Sequence, residues 1–111
     1  MRATLLAALI TTAVTAGLVV AQPSDQQLAS RGKSILTEKC TRCHQLEATG
    51  RSPKEEAPSF RALMQKYKPE QLEEALGEGL SSGHPLMPEF VFEPEEISAI
   101  IAYLGTLREK R

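Results

Sequence analysis

Cys40 and Cys43 are the only two cysteines in the 111 residues, and His44 follows the second directly. Two thiols separated by two residues can be presented by a single turn to one edge of a flat ring. There they can add across the two vinyl groups of a porphyrin. The adjacent imidazole then lies under the centre of the ring, where it can ligate iron. This C-x-x-C-H pattern is the sequence signature of covalent haem attachment. Two other chemistries share parts of it. A thioredoxin-like dithiol wants a βαβ setting, and this chain offers no convincing strand. A zinc site wants four ligands, and only His84 remains to join Cys40, Cys43 and His44. Covalent haem is the reading that uses every residue of the pattern.

A haem iron held by His44 has a sixth position to fill. Met87 is the first candidate, because Pro85 and Pro88 stiffen the backbone on both sides of it. A thioether held that way needs little reorganisation when the iron changes charge. The bland alternative is a methionine that fills a gap in the core. Met64 is a rival, although it falls on the apolar face of an expected helix. His84 is a rival imidazole, and it could instead lie near a haem propionate or on the surface.

The elements that must position these residues read as helix and loop. Leu28 to Lys39 has helical character, with Ser30 as its expected cap and no capping box. Gly32, Leu36 and Cys40 fall on one face at intervals of four. Gly32 weakens a helix relative to Ala, and close approach of another helix would be a reason to keep it. Gln22 to Ala29 is polar and expected to be loose at its start. Cys40 to Pro58 reads as loop, broken by Gly50, Ser52 and Pro53. Pro58 to Lys66 reads as a short helix with Phe60, Leu63 and Met64 as its apolar set. Pro69 opens a further helix, striped by Leu72, Leu76 and Leu80 and flanked by glutamates. Gly77, Gly79 and Gly83 weaken its end. Pro94 opens the last helix, with Glu95 and Glu96 in its first turn and Arg108, Lys110 and Arg111 near its end, the favoured polarity. Its apolar face is Ile97, Ile100, Ile101 and Leu104, with Tyr103 beside them. Glu89 to Glu93 alternates, but prolines bracket it.

Residues 1–21 read as an export signal. Arg2 is followed by an uncharged stretch, Ala3 to Ala21, and Val19-Val20-Ala21 is a plausible cleavage site. The stretch is also close to bilayer length, so a retained membrane anchor is the alternative. Residues 22–111 form the expected single domain, a small one that benefits from a staple or ligand. The formal net charge is −1, and losing Arg2 with the signal makes it more negative. No basic patch argues for nucleic acid.

From Ala29 to Leu107 the chain resembles the small monohaem class I cytochrome c family in its bacterial form. Gly32 and Leu36 match the glycine and apolar residue ahead of the haem motif. Ile100 and Tyr103 match the apolar and aromatic pair on the last helix, which crosses the first in that family. Ala57-Pro58-Ser59 resembles the segment whose proline carbonyl, here that of Pro58, accepts the second ring N–H of the haem histidine. Such partners orient metal ligands. Gly83 to Phe90 resembles the family's methionine loop, and Tyr67 falls where an aromatic residue often packs near the haem. The mildly acidic surface departs from a lysine-ringed haem edge.

The resemblance implies an all-α, class I cytochrome c-like fold of roughly three to five helices around one covalent haem c. With His44 and Met87 on the iron, no position is left for a small-molecule substrate, so an enzyme is not expected. The expected function is single-electron transfer between redox proteins that dock briefly at the haem edge, in the periplasm. A fixed subunit of a membrane-bound dehydrogenase or oxidase complex is the first alternative. A haem enzyme or gas sensor with a labile sixth ligand is the second.

Overall fold

The computed structural model describes residues 16–79 and 85–109. Most of the apolar leader, Leu80, Gly83, His84, Lys110 and Arg111 lie outside the described residues. Four helices make up the architecture: α1 (Asp25–Cys40), α2 (Phe60–Lys66), α3 (Pro69–Glu78) and α4 (Pro94–Glu109). No strand occurs among the described residues, as the proline-bracketed pattern predicts.

Helix α1 starts earlier than the sequence reading places it. Ser24 is the cap, and Gln27 N–H donates to Ser24 Oγ at 3.3 Å while Ser24 N–H donates to Gln27 Oε1 at 2.9 Å. This reciprocal pair is a capping box, and it satisfies two amides that would otherwise lack partners. Within Gln22 to Ala29 only the start, residues 22–24, lies outside a helix, and the rest is helical from Asp25 onward. Ser30 is not a cap. It sits inside the helix, where its carbonyl accepts from Ser34 Oγ at 3.2 Å. Ser24→Ala is expected to destabilise the protein by about 1 kcal/mol, read as a lower denaturant midpoint with an unchanged slope.

Helix α2 is capped by Ser59, whose Oγ accepts from Ala62 N–H at 3.1 Å. Pro58 lies ahead of the cap and does not open the helix, which leaves its carbonyl available to the site. Pro69 does open α3, and the helix ends at Gly79, whose φ of +99° favours a residue without a Cβ. Gln71 supports that start by accepting Lys68 N–H on Oε1 at 2.8 Å.

Helix α4 is the common partner, since α1, α2 and α3 all pack on it. Ile97, Ile100 and Leu104 are buried there as the apolar stripe predicts, together with Ala99, Tyr103 and Leu107. Ile101 is only partly buried against that core. The crossing with α1 is made at Gly32. A Cβ built there would overlap the Ala99 carbonyl and stand 2.9 Å from the Ile100 nitrogen. The backbones of the two helices therefore meet with no room for a side chain at this point. From α4, Tyr103 Oη donates to the Leu46 carbonyl at 3.2 Å, which pins the loop that follows α1.

Candidate haem site

The last residue of α1 is Cys40, so a helix end places the first thiol. The next three residues turn back over it. Both Cys43 N–H (3.2 Å) and His44 N–H (2.9 Å) donate to the Cys40 carbonyl. This satisfies a helix-end acceptor and sets the spacing between the cysteines. The two thiols are half-buried and form no disulfide with each other. Burial pushes the Cys40 thiol up to about 11, with a smaller raising effect from Cys43 and a lowering one from Lys39. A dithiol built for exchange has its attacking thiol pushed down instead. This electrostatic setting does not suit the thioredoxin-like alternative.

The loop after the turn is held from several sides. Gln45 N–H donates to Ser52 Oγ at 3.0 Å, and the Gln45 carbonyl accepts from Phe60 N–H at 2.9 Å. Lys54 N–H donates to the Cys43 carbonyl at 3.3 Å. Leu46 is buried in the core with 2% exposure. The Lys33–Glu47 ion pair, at 2.8 Å, links the loop back to α1. Gly50 has a φ of +96°, a region that suits glycine.

His44 Nδ1 lies 2.7 Å from the Pro58 carbonyl oxygen. A carbonyl only accepts, so Nδ1 carries the proton and Nε2 keeps its lone pair. The ring also meets Phe60, with centroids 5.5 Å apart and planes tilted by 49°. A fixed imidazole with one nitrogen prepared for a metal, beside two unpaired thiols, suits a covalently attached porphyrin. Among the described residues no group of three or more Cys, His, Asp or Glu could hold a metal ion, so the zinc alternative finds no ligand set there.

A family model described as cytochrome c matches residues 29–108. The chain belongs to the cytochrome c family. The all-α, class I fold follows, as does a covalently bound haem c with its iron, and the Cys40–Cys43 pair is consistent with the C-x-x-C-H motif of that attachment. The protein is thus a haem-based electron-transfer cytochrome whose partners are redox proteins. No curated protein and no solved structure matches it.

The cytochrome brings together Cys40, Cys43, His44 and Pro58. Met87 stands on a separate segment, half-buried in the turn at residues 85–87, and Leu86 beside it is 62% exposed. Tyr67 is 37% exposed, with the Lys66 ammonium 5.2 Å from its ring centre. Sequence reasoning missed Ser52, Leu46 and the Tyr103 hydroxyl. Ser52 carried no signal beyond its place in a loop. Leu46 is an isolated apolar residue, and only the contact from α4 marks it.

Proposed function

We propose that this cytochrome is an exported, non-enzymatic electron carrier in which His44 and Met87 would ligate the haem iron. Cys40 and Cys43 hold the haem through thioethers, and Pro58 holds His44 through its carbonyl. The haem supplies the one-electron Fe(III)/Fe(II) change. The chain's own residues keep the ligands still during that change. The observation that carries the reading is the 2.7 Å contact between His44 Nδ1 and the Pro58 carbonyl. It fixes the ring tautomer and plane and leaves Nε2 for the iron. The turn over the Cys40 carbonyl ties that histidine to both thiols. Prolines on either side of Met87 limit how far its backbone can move. With two protein ligands on the iron, no coordination position remains for a substrate.

Export is supported by the uncharged leader and by the exposure of its described end. Leu18, Val19 and Val20 are 83–98% exposed, ahead of a fold that begins at the Ser24 cap. Such apolar residues belong in a signal segment rather than in this core. Among the described residues no helix is long and apolar enough to cross a membrane. We place the mature domain, residues 22–111, in the periplasm.

Met87→Ala tests the ligand assignment. The oxidised wild type is expected to show the weak long-wavelength absorption band that a methionine sulfur on the iron produces, and the variant to lose it. Carbon monoxide should then bind the reduced variant readily. The potential should fall by more than about 100 mV, a fraction of the roughly 0.8 V that axial ligands span. An unchanged band and potential in the variant would remove Met87 from the iron.

A further inference from the structure

The segment after Met87 has two faces. Phe90 and Phe92 turn inward, with rings 6.0 Å apart and nearly parallel, and Phe92 is buried. Glu89, Val91 and Glu93 are exposed on the other face, as alternation in an extended chain requires. This outer face joins two helix ends. The Glu89 carboxylate lies against Gly79 at the end of α3, 3.2 Å from where a Cβ would stand. Glu93 N–H donates to Glu96 Oε2 at 3.0 Å, in the first turn of α4. Glu78 and Glu89 thus stand at the end of α3, and Glu93, Glu95 and Glu96 at the start of α4.

Residues 69–96 contain eight glutamates and no lysine or arginine, whereas residues 40–68 contain six basic and three acidic residues. The ion pair found among the described residues, Lys33–Glu47, lies elsewhere. Glu78 closes α3 where no basic residue stands in the last turn, and negative charge is unfavourable at that end of a helix. Glu70, Glu95 and Glu96 suit the first turns of α3 and α4, and the remaining carboxylates have no lysine or arginine between positions 69 and 96 to balance them. Set among the carboxylates are two exposed apolar side chains, Leu86 at 62% and Val91 at 77% exposure. An apolar centre within a charged rim is how protein interfaces are built, and the charge speeds and orients the encounter.

We propose that the redox partner meeting this cytochrome on its Met87 side is a basic protein with an apolar centre, received by Leu86 and Val91 among these carboxylates. The proposal rests on the electron-carrier reading above and names the partner's chemistry. The basic half of the chain, which carries the C-x-x-C-H turn, repels the same partner and so fixes its orientation.

The test follows oxidation of the reduced, haem-loaded protein by a cationic reagent, tris(phenanthroline)cobalt(III), and an anionic one, hexacyanoferrate(III). Raising ionic strength from about 0.01 M to about 1 M shortens the screening length from roughly 30 Å to roughly 3 Å. The cationic rate is expected to fall about tenfold across that range, and the anionic rate to rise. Polylysine at low salt should slow the cationic reagent. Glu89→Lys with Glu93→Lys should abolish both the fall and the polylysine effect. Glu55→Lys with Glu56→Lys makes the same charge change on the other half and should preserve both. Equal loss from the two pairs would mean that net charge alone acts, and an unchanged slope in the first pair would place docking elsewhere; either overturns the proposal. Should the lysine pair disturb the haem spectrum, Glu89→Gln with Glu93→Gln is read against the same expectation at half the charge change. A wild type that yields its electron to neither reagent would instead overturn the electron-carrier reading.

Discussion

Gly32→Ala is expected to destabilise the haem-loaded protein by about 3 kcal/mol, the upper end for overpacking a core. The new methyl group would overlap the Ala99 carbonyl and crowd the Ile100 nitrogen. These are backbone atoms of a helix, so no rotamer change relieves the overlap. Helices α1 and α4 would have to separate along their crossing, loosening Leu36, Ile100 and Leu104, which are all at or below 2% exposed. Gly105→Ala provides the contrast within α4. A Cβ there meets nothing within 4 Å, and replacing a mid-helix glycine by alanine should stabilise by up to about 1 kcal/mol. Denaturant unfolding of the two variants should therefore shift in opposite directions. A wild-type midpoint for Gly32→Ala would mean that the two helices are not held at this contact.

Replacing both Cys40 and Cys43 by alanine is expected to abolish covalent haem retention. In the wild type, haem absorbance should stay with the polypeptide through denaturation and gel filtration. In the double variant it should separate completely. Helicity should fall as well. Helices α2 and α3 have seven and ten residues, shorter than the roughly 12–15 at which isolated helices are even marginal. They depend on packing, and both lie against α4. The haem adds the apolar surface that a domain of this size otherwise lacks. Haem that stays with the denatured double variant would show attachment through some other residue.

The local features of this fold were legible because their causes are local. Pro69 and Pro94 open helices where a fixed φ and a missing N–H are harmless. The alternation from Glu89 to Glu93 gives the inward phenylalanines. The capping box at Ser24 and Gln27 was equally local, and it was hidden by the polar composition around it. Pro58 was legible as a helix-starting residue and proved to stand outside the helix. Its carbonyl partner at His44 lies 14 residues away, a pairing that only the family resemblance implied. The Tyr103–Leu46 hydrogen bond spans 57 residues, and no periodicity encodes such a contact. The close approach at Gly32 belongs to the same class. A glycine announces that something is near without naming it, and Ala99 supplies the name.

The contact between α1 and α4 also orders events in time. These helices are the first and last of the fold, and each needs the other to bury its apolar face. A chain delivered amino end first presents Cys40 to His44 while the helix that must lie across Gly32 has not yet emerged. During that interval the region around the two thiols cannot close, because its covering partner is absent. Until Pro94 to Glu109 are in place, Gly32 and Leu36 have no surface to close against. Closure of the fold is therefore the last step that the order of the chain permits.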